Sequence, residues 1–400
     1  MDSDPSSDLP LIGIRVLDLS RVLAGPWCAQ VLGDLGADVI KVEHPERGDD
    51  TRDWGVTTTP GNTSYFDSVN RNKRSIGVDL ATPEGLAIVK ALARESDVLV
   101  QNFKTGGADK LGLGYAALSA ENPGLIYCSI AGYSSDGSEA GRPGYDLVVQ
   151  GESGVMALNG EAGGPPLKFG VAAVDLFTGQ YAAQAVLAAL FQRTRTGRGR
   201  TIDLALFDCG VALTSYYGLE ALARGIDPPR YGNAHPSIVP YGVFEAGDGP
   251  VVITVGNNAQ YRRFCEQVLE RPDLCADPRF ATNLDRSKNR AVFIPILEAE
   301  LAQWERAPLI ARLRGAGIPC GEVMGLREAL TCPRAQEAGL VVEAAGNAHV
   351  IAPPYRLDGR RLPVRRMPPG LGESGQEILA ERLDVSAEAR DALVAKGVVR

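Results

Sequence analysis

The sequence predicts an α/β fold built on an open, mostly parallel sheet. Three observations predict it: short apolar stretches rich in β-formers alternate with helix-length segments, the loops between them are short, and helix start and stop residues stand at the joins. Residues 14–19 (IRVLDL) alternate and read as a strand. Ala24-Gly25-Pro26 breaks it, and Pro26 suits the first turn of a helix running to about Leu35. Gly36 ends that helix, and residues 37–42 (ADVIKV) form the next strand, which implies a parallel pair.

The pattern recurs. Thr82-Pro83-Glu84 is a cap followed by proline at the first helical position, opening a helix to about Arg94. Residues 97–100 are a strand, residues 118–121 begin a short helical stretch, and residues 125–130 are another strand. This is an open sheet of Rossmann type in topology. No GxGxxG follows the first strand, so no dinucleotide is inferred. Residues 176–193 are Ala-rich and apolar on nearly every face, which predicts a buried helix. Residues 196–200 form a turn and residues 201–206 a strand. Asp227-Pro228-Pro229 reads as a linker, and beyond it the alternation stops. A strand at 249–255, a loop and a helix from about Gln260 suggest a smaller α+β domain. The tail holds short β-like pieces at 349–354 and 361–366 and a final helix near 387–396. The expected boundaries are 1–225, 226–315 and 316–400.

A chain of 400 residues exceeds one ordinary core, in keeping with that division. A formal net charge of -8 with no basic stripe argues against a nucleic-acid partner. The densest basic stretch, Arg193, Arg195, Arg198 and Arg200, reads as a solvated loop. Seven cysteines stand singly with no CxxC pair, so neither a disulfide framework nor a metal site is expected, and a cytoplasmic location fits. Residues 1–8 lack a signal-peptide pattern and read as a frayed tail, and no apolar run is long enough to span a membrane.

Four places could carry chemistry. Asp175, between a small-residue stretch and the Ala-rich helix, stands at an expected helix N-terminus, which favours its ionised form. It reads either as a plain N-cap or as a nucleophile that attacks a thioester carbonyl. Gly256, Asn257 and Gln260 lie in a polar loop that reads either as an ordinary turn or as a cover carrying oxyanion donors. Tyr145, in Gly144-Tyr145-Asp146, could donate to an acyl oxygen or be a half-buried tyrosine with its hydroxyl satisfied. His235 has no second ligand nearby in sequence, so a metal role is not expected; a loop histidine or a substrate contact remain open.

Long motifs then add a resemblance. The opening segment 10–52 (PLIGIRVLDLSRVLAGPWCAQVLGDLGADVIKVEHPERGDDTR), SVNRNKRSIGVDL (68–80), LVQNF (99–103), YCSIAGY (127–133), GYD (144–146) and the Asp175 segment followed by TGRGRTIDLALFD occur in this order. They closely resemble the class III CoA transferases, the family of formyl-CoA transferase, carnitine CoA transferase and α-methylacyl-CoA racemase. The resemblance covers about residues 10–399 and favours the nucleophile reading of Asp175.

It implies a large Rossmann-like domain built from both termini, a smaller domain, and ring-like chains interlocked as a homodimer. It implies transfer through an aspartyl anhydride and an aspartyl-CoA thioester on Asp175. No tightly bound cofactor is implied; acyl-CoA and a carboxylic acid are the substrates. Positions matching the family's CoA contacts are Arg21, Leu23, Ala24, His44, Val78, Ala81, Asn102, Phe103, Lys110 and Tyr145. His44, Leu23 and Ala81 depart from the formyl-CoA transferase pattern, which leaves Lys110 as the expected phosphate partner. The racemase branch has a histidine at the place of Tyr145, and a phenol is too weak an acid for that exchange. YGNAHPSIVPYGVF (231–244) and VGNNAQY (255–261) look like the succinyl-CoA:glutarate group acting on dicarboxylates. A distal carboxylate would need a cation, and Arg21, Arg47, Arg52, Arg71 and His235 are the candidates. The rival readings are an acyl-CoA epimerase, a transferase for formate, carnitine or an aryl acid, and a silent CoA-binding protein.

Overall fold

A computed structural model describes residues 8–344 and 348–400. The expected frayed tail falls, but for Asp8, outside the described residues. Two compact units divide the chain: one holds the residues through Met156 with Lys168–Asp227 and Pro333–Arg400, the other Ala157–Leu167 and Pro228–Cys332.

The first unit is built on β1 (Arg15–Asp18), α1 (Ala24–Asp34), β2 (Asp38–Glu43), β3 (Lys73–Gly77), α2 (Pro83–Arg94), β4 (Val98–Gln101), α3 (Gly107–Lys110), α4 (Tyr115–Glu121), β5 (Ile126–Ala131), α5 (Asp146–Glu152), α6 (Ala173–Thr196), β6 (Arg200–Ala205), α7 (Leu206–Leu213) and α8 (Ser215–Arg224). The strands lie in the order β3-β2-β1-β4-β5-β6, every neighbour parallel. The chain thus starts in the middle of the sheet, winds outwards one way and then the other. Thr82 caps α2 through Gly85 N–H at 3.0 Å, as its Thr-Pro signal predicts.

Strand alternation divides the core between two faces. Val16, Val39, Val98 and Val100 pack with Cys28 and Leu32 of α1 and Ala182 and Val186 of α6. Leu17, Ile40 and Leu99 pack on the other face with Val89 and Leu92 of α2 and, from the C-terminal end, Ile378, Leu379 and Val399. The two N–H···O bonds between Gly77 and Arg400 complete that return at 3.3 and 3.0 Å.

Helix α6 corrects the expectation of all-round burial. Val174, Thr178, Ala182, Val186 and Ala189 are buried at helical spacing, whereas Phe191 is 66% exposed. Its buried stripe meets α1 so closely that a Cβ on Gly179 would lie 2.5 Å from the Ala24 carbonyl oxygen. β3 was not legible as a strand, because Lys73 and Arg74 occupy buried positions that pattern reading reserves for apolar residues. The piece at 361–366 is a strand only at its start. Arg360–Arg361 pairs with Arg356–Leu357, and the N–H groups of Arg365 and Arg366 then donate to Asn72 Oδ1.

The second unit has a three-stranded antiparallel sheet, with β8 (Gly249–Thr254) between β7 (Tyr241–Ala246) and β9 (Cys320–Glu322). Val251, Ile253 and Phe244 pack there against Phe264, Phe293 and Leu309. Because β9 pairs with β8, this unit runs to Cys332 and does not end near residue 315. It also takes in Ala157–Leu167, which the expected boundaries place in the large domain.

Candidate active site

Asp175 is the third residue of α6, not its cap. The helix end is held instead by Asp146, at the start of α5. Asp146 Oδ1 accepts the N–H of Val174 at 2.9 Å and of Asp175 at 3.2 Å, while Gln150 Nε2 donates to Oδ2 at 2.6 Å. The N–H groups and dipole expected to favour ionised Asp175 are therefore satisfied by another carboxylate. Burial, with the Asp146 charge second, pushes the Asp175 carboxyl up to about 7. Among the described residues no cation pairs with it.

Asp175 opens on a cavity walled by residues that follow three strands: Arg21, Val22, Leu23 and Ala24 after β1, Asn102, Phe103, Lys104 and Thr105 after β4, and Gly132 after β5. Arg142, Gly144 and Tyr145 complete the wall. β1 is the strand where the winding reverses, and the crevice beyond its carboxyl end is the place such sheets leave open for a ligand. Gly132 and Gly144 bring two backbone segments together here: a Cβ on Gly132 would lie 2.6 Å from Gly144 Cα.

A second groove shares Arg21, Asp50 and Phe103 with the first and is lined further by His44, Arg47, Val78 and Ala81. The two hollows therefore gather Arg21, Leu23, Ala24, His44, Val78, Ala81, Asn102, Phe103, Tyr145 and Asp175. His44 Nδ1 accepts the N–H groups of Glu46 and Arg47, so in the neutral ring Nε2 carries the proton as a donor. Tyr145 is 62% exposed, not half-buried, at the N-terminal end of α5. Asn102 is occupied locally: its Oδ1 accepts from Arg21 N at 2.9 Å and its Nδ2 donates to Arg21 O at 2.8 Å.

Three expected cations do not line the two hollows. Lys110 is exposed at the end of α3 and lines neither hollow. Arg52 is buried, doubly bonded to Glu43 at 2.8 and 2.7 Å, bonded to Asn62 at 2.6 Å and laid over the Phe66 ring. Arg71 is buried in a two-bond pair with Asp34, at 3.0 and 2.5 Å. Both guanidinium groups are consumed in holding the fold. Arg21 and Arg47 remain at the hollows.

Lys104 was missed. It follows β4 at the reversal point, and that position in the alternation was the available signal. Among the described residues its ammonium makes no hydrogen bond or ion pair. Asp146 was missed as a cap because the Val174 N–H it accepts lies 28 residues further on.

In the second unit the loop at Gly256 is an ordinary helix start. Asn257 Oδ1 caps Asn258–Arg263 through Gln260 N–H at 2.9 Å, and Gln260 Oε1 accepts the Gly256 N–H at 2.8 Å. Of the groups expected as oxyanion donors, the backbone N–H groups of Gly256 and Gln260 are thus engaged, by the side-chain oxygens of Gln260 and Asn257. His235 Nδ1 accepts from the backbone of Ser237 and Ile238; its burial and then the Arg290 charge lower its pKa. Among the described residues no group of three or more His, Cys, Asp or Glu side chains is arranged to hold a metal ion.

Fold and cleft together define a doubly wound α/β protein with a carboxylate in the crevice beyond its strand ends. Residues 11–375 match CoA-transferase family III, and the chain belongs to that family of enzymes. It is 42% identical, over 95% of its length and 98% of the relative's, to a succinate–glutarate CoA-transferase of Agrobacterium fabrum. It is 39% identical to the succinyl-CoA:glutarate CoA-transferase of Homo sapiens, covering 99% of this chain and 91% of that one. The crystal structure of a CAIB/BAIF family protein from Brucella suis superposes with a TM-score of 0.85 at 43% identity, over 94% of this chain and 99% of that chain.

Proposed function

We propose that this enzyme moves CoA from succinyl-CoA to a dicarboxylic acid such as glutarate, with Asp175 as the covalent carrier. The observation that carries the reading is a carboxylate in a cleft at the reversal point, raised to about 7 and without a cation. Such a group is weakly solvated and more basic than an ordinary aspartate, which makes it the better nucleophile. One Asp175 oxygen attacks the thioester carbonyl, the C–S bond breaks and the CoA thiolate departs. The mixed anhydride is then attacked by the thiolate at the aspartyl carbonyl, releasing the donor acid and leaving an aspartyl-CoA thioester. The acceptor carboxylate displaces the thiolate to form a second anhydride. The thiolate attacks the acceptor's acyl carbon, and Asp175 is regenerated.

CoA is proposed to lie along the joined hollows, past His44, Val78, Ala81 and Phe103 at one end and Leu23 and Ala24 near Asp175. Arg21, Arg47 and Lys104 supply positive charge for its phosphates or for the acceptor's distal carboxylate. The substrates follow the names of the relatives above. The homodimer is proposed on the family resemblance, and α8 supports it: the helix buries no residue and leaves Leu219 70% and Leu222 82% exposed. A cytoplasmic location is proposed from seven free cysteines.

The test is to incubate the enzyme with succinyl-CoA, add hydroxylamine and locate the modified residue by mass spectrometry. A hydroxamate at Asp175 is expected, absent from Asp175→Ala. Transfer at the parent rate by Asp175→Ala refutes the mechanism. A panel of acceptor acids tests the preference for dicarboxylates.

A further inference from the structure

The rim of the Asp175 cavity contains a backbone conformation that its own residue disfavours. Val22 has φ +72°, in the left-handed region, where a β-branched side chain is a genuine outlier. Three side chains from other segments hold the backbone around it. Lys41 Nζ donates to the Ser20 carbonyl at 3.0 Å. Asn102 takes both the N–H and the carbonyl of Arg21, at 2.9 and 2.8 Å. Asp49 accepts the Val22 N–H, at 3.2 Å to one carboxylate oxygen and 3.3 Å to the other. Lys41 and Asp49 are themselves paired at 2.8 Å, with side chains 0% and 1% exposed. Asp49 is fixed further by the N–H and hydroxyl of Thr51, at 3.0 and 2.8 Å. Three consecutive residues are thus gripped by a buried ion pair and one amide. The gripped segment runs into the cavity wall: Arg21, Val22, Leu23 and Ala24 all face it.

We propose that Asn102 and the Lys41–Asp49 pair are positioning residues for acyl-CoA binding. They hold Val22 in its strained conformation so that the Leu23–Ala24 backbone forms the wall against which the thioester end of CoA is seated. Asn102, which also lines the cavity, then acts through Arg21. The clamp sets binding more than chemistry, because Asp175 is anchored separately through Asp146. This rests on acyl-CoA occupying the cavity.

The test uses the full-length enzyme and the variants Asn102→Ala and Asp49→Asn, each with and without Val22→Gly. Glycine adopts positive φ without strain, so it makes the clamp unnecessary. Asn102→Ala is expected to raise KM for succinyl-CoA by roughly tenfold, with a smaller change in kcat. In the Val22→Gly background the same substitution is expected to change KM less than about twofold. Asp49→Asn, which loses the charge facing Lys41, should show the same rescue, and calorimetric titration with CoA should follow the KM values. An unchanged KM in both single variants, or an equal loss with and without Val22→Gly, overturns the clamp. If the parent fails to bind succinyl-CoA, the reading of the cavity itself falls and takes the clamp with it.

Discussion

Asp175→Asn is expected to make the protein more stable while abolishing transfer. The Asp175 carboxyl sits at about 7 in the folded chain against 3.8 ordinarily. Between those values the native state retains a proton that the unfolded chain has released. Stability therefore falls as pH rises through this window, and the loss is complete above about 7. Three units at 1.36 kcal/mol each make an upper bound of ~4 kcal/mol, and water in the open cleft reduces it to about half. Asparagine has the same shape and carries no charge at any pH. Its expected gain over the parent is roughly 2–4 kcal/mol at pH 8 and about 1 kcal/mol at pH 5. Urea denaturation of both proteins at the two pH values measures it, alongside a transfer assay. An equal gain at both pH values, or a loss at pH 8, refutes the claim that an uncompensated charge is maintained there for function.

Three further outcomes follow from neighbouring contacts. Asp146→Asn keeps an oxygen for the Val174 and Asp175 N–H groups but removes the charge that helps raise Asp175, so the acid limb of the kcat/KM profile should move to lower pH; a profile from pH 5 to 9 checks the direction. Arg52→Met strands buried Glu43 and should cost about 3–5 kcal/mol in urea denaturation, as expected of a structural guanidinium and not of a substrate contact. Gly179→Ala places a Cβ 2.5 Å from the Ala24 carbonyl oxygen, and should cost ~1–3 kcal/mol and lower kcat/KM, because α6 carries Asp175 one turn away.

The parallel core was legible because each of its elements declares itself locally. The strand at Val16, the proline-opened α1 and the Thr82 cap all lie within a few residues of the signals that mark them. What escaped reading depends on partners far away in sequence. Arg52 and Arg71 looked like free cations, since nothing local reveals Glu43 and Asp34 as their acceptors. β3 was hidden by a lysine and an arginine whose charges are met by Asp18 and Asp38. The end of the second unit was misplaced because Cys320–Glu322 finds its sheet across some seventy residues. The start of α6 near Asp175 was legible, but the setting of that carboxyl depends on its burial and on Asp146, which belongs to another helix.

The arrangement of charge around the cleft favours a nucleophile over an ion-pairing aspartate. Lys41, Arg52, Arg71 and Lys73 are buried in pairs with Asp49, Glu43, Asp34 and Asp18. Arg142 lines the cavity, yet Glu139 and Glu152 take its hydrogen bonds and it lies over the Tyr133 ring. Cations without a buried partner, Arg21, Arg47 and Lys104, are exposed. A guanidinium within about 4–6 Å of Asp175 would lower its pKa by roughly 1–3 units and weaken its attack on a carbonyl. Cations at a distance can still hold phosphates and a distal carboxylate without that penalty. Neutralising the interior lysines and arginines and leaving exposed cations at the hollows thus suits the proposed mechanism, in which one site binds strongly anionic substrates and yet holds an unpaired carboxylate as its reactive group.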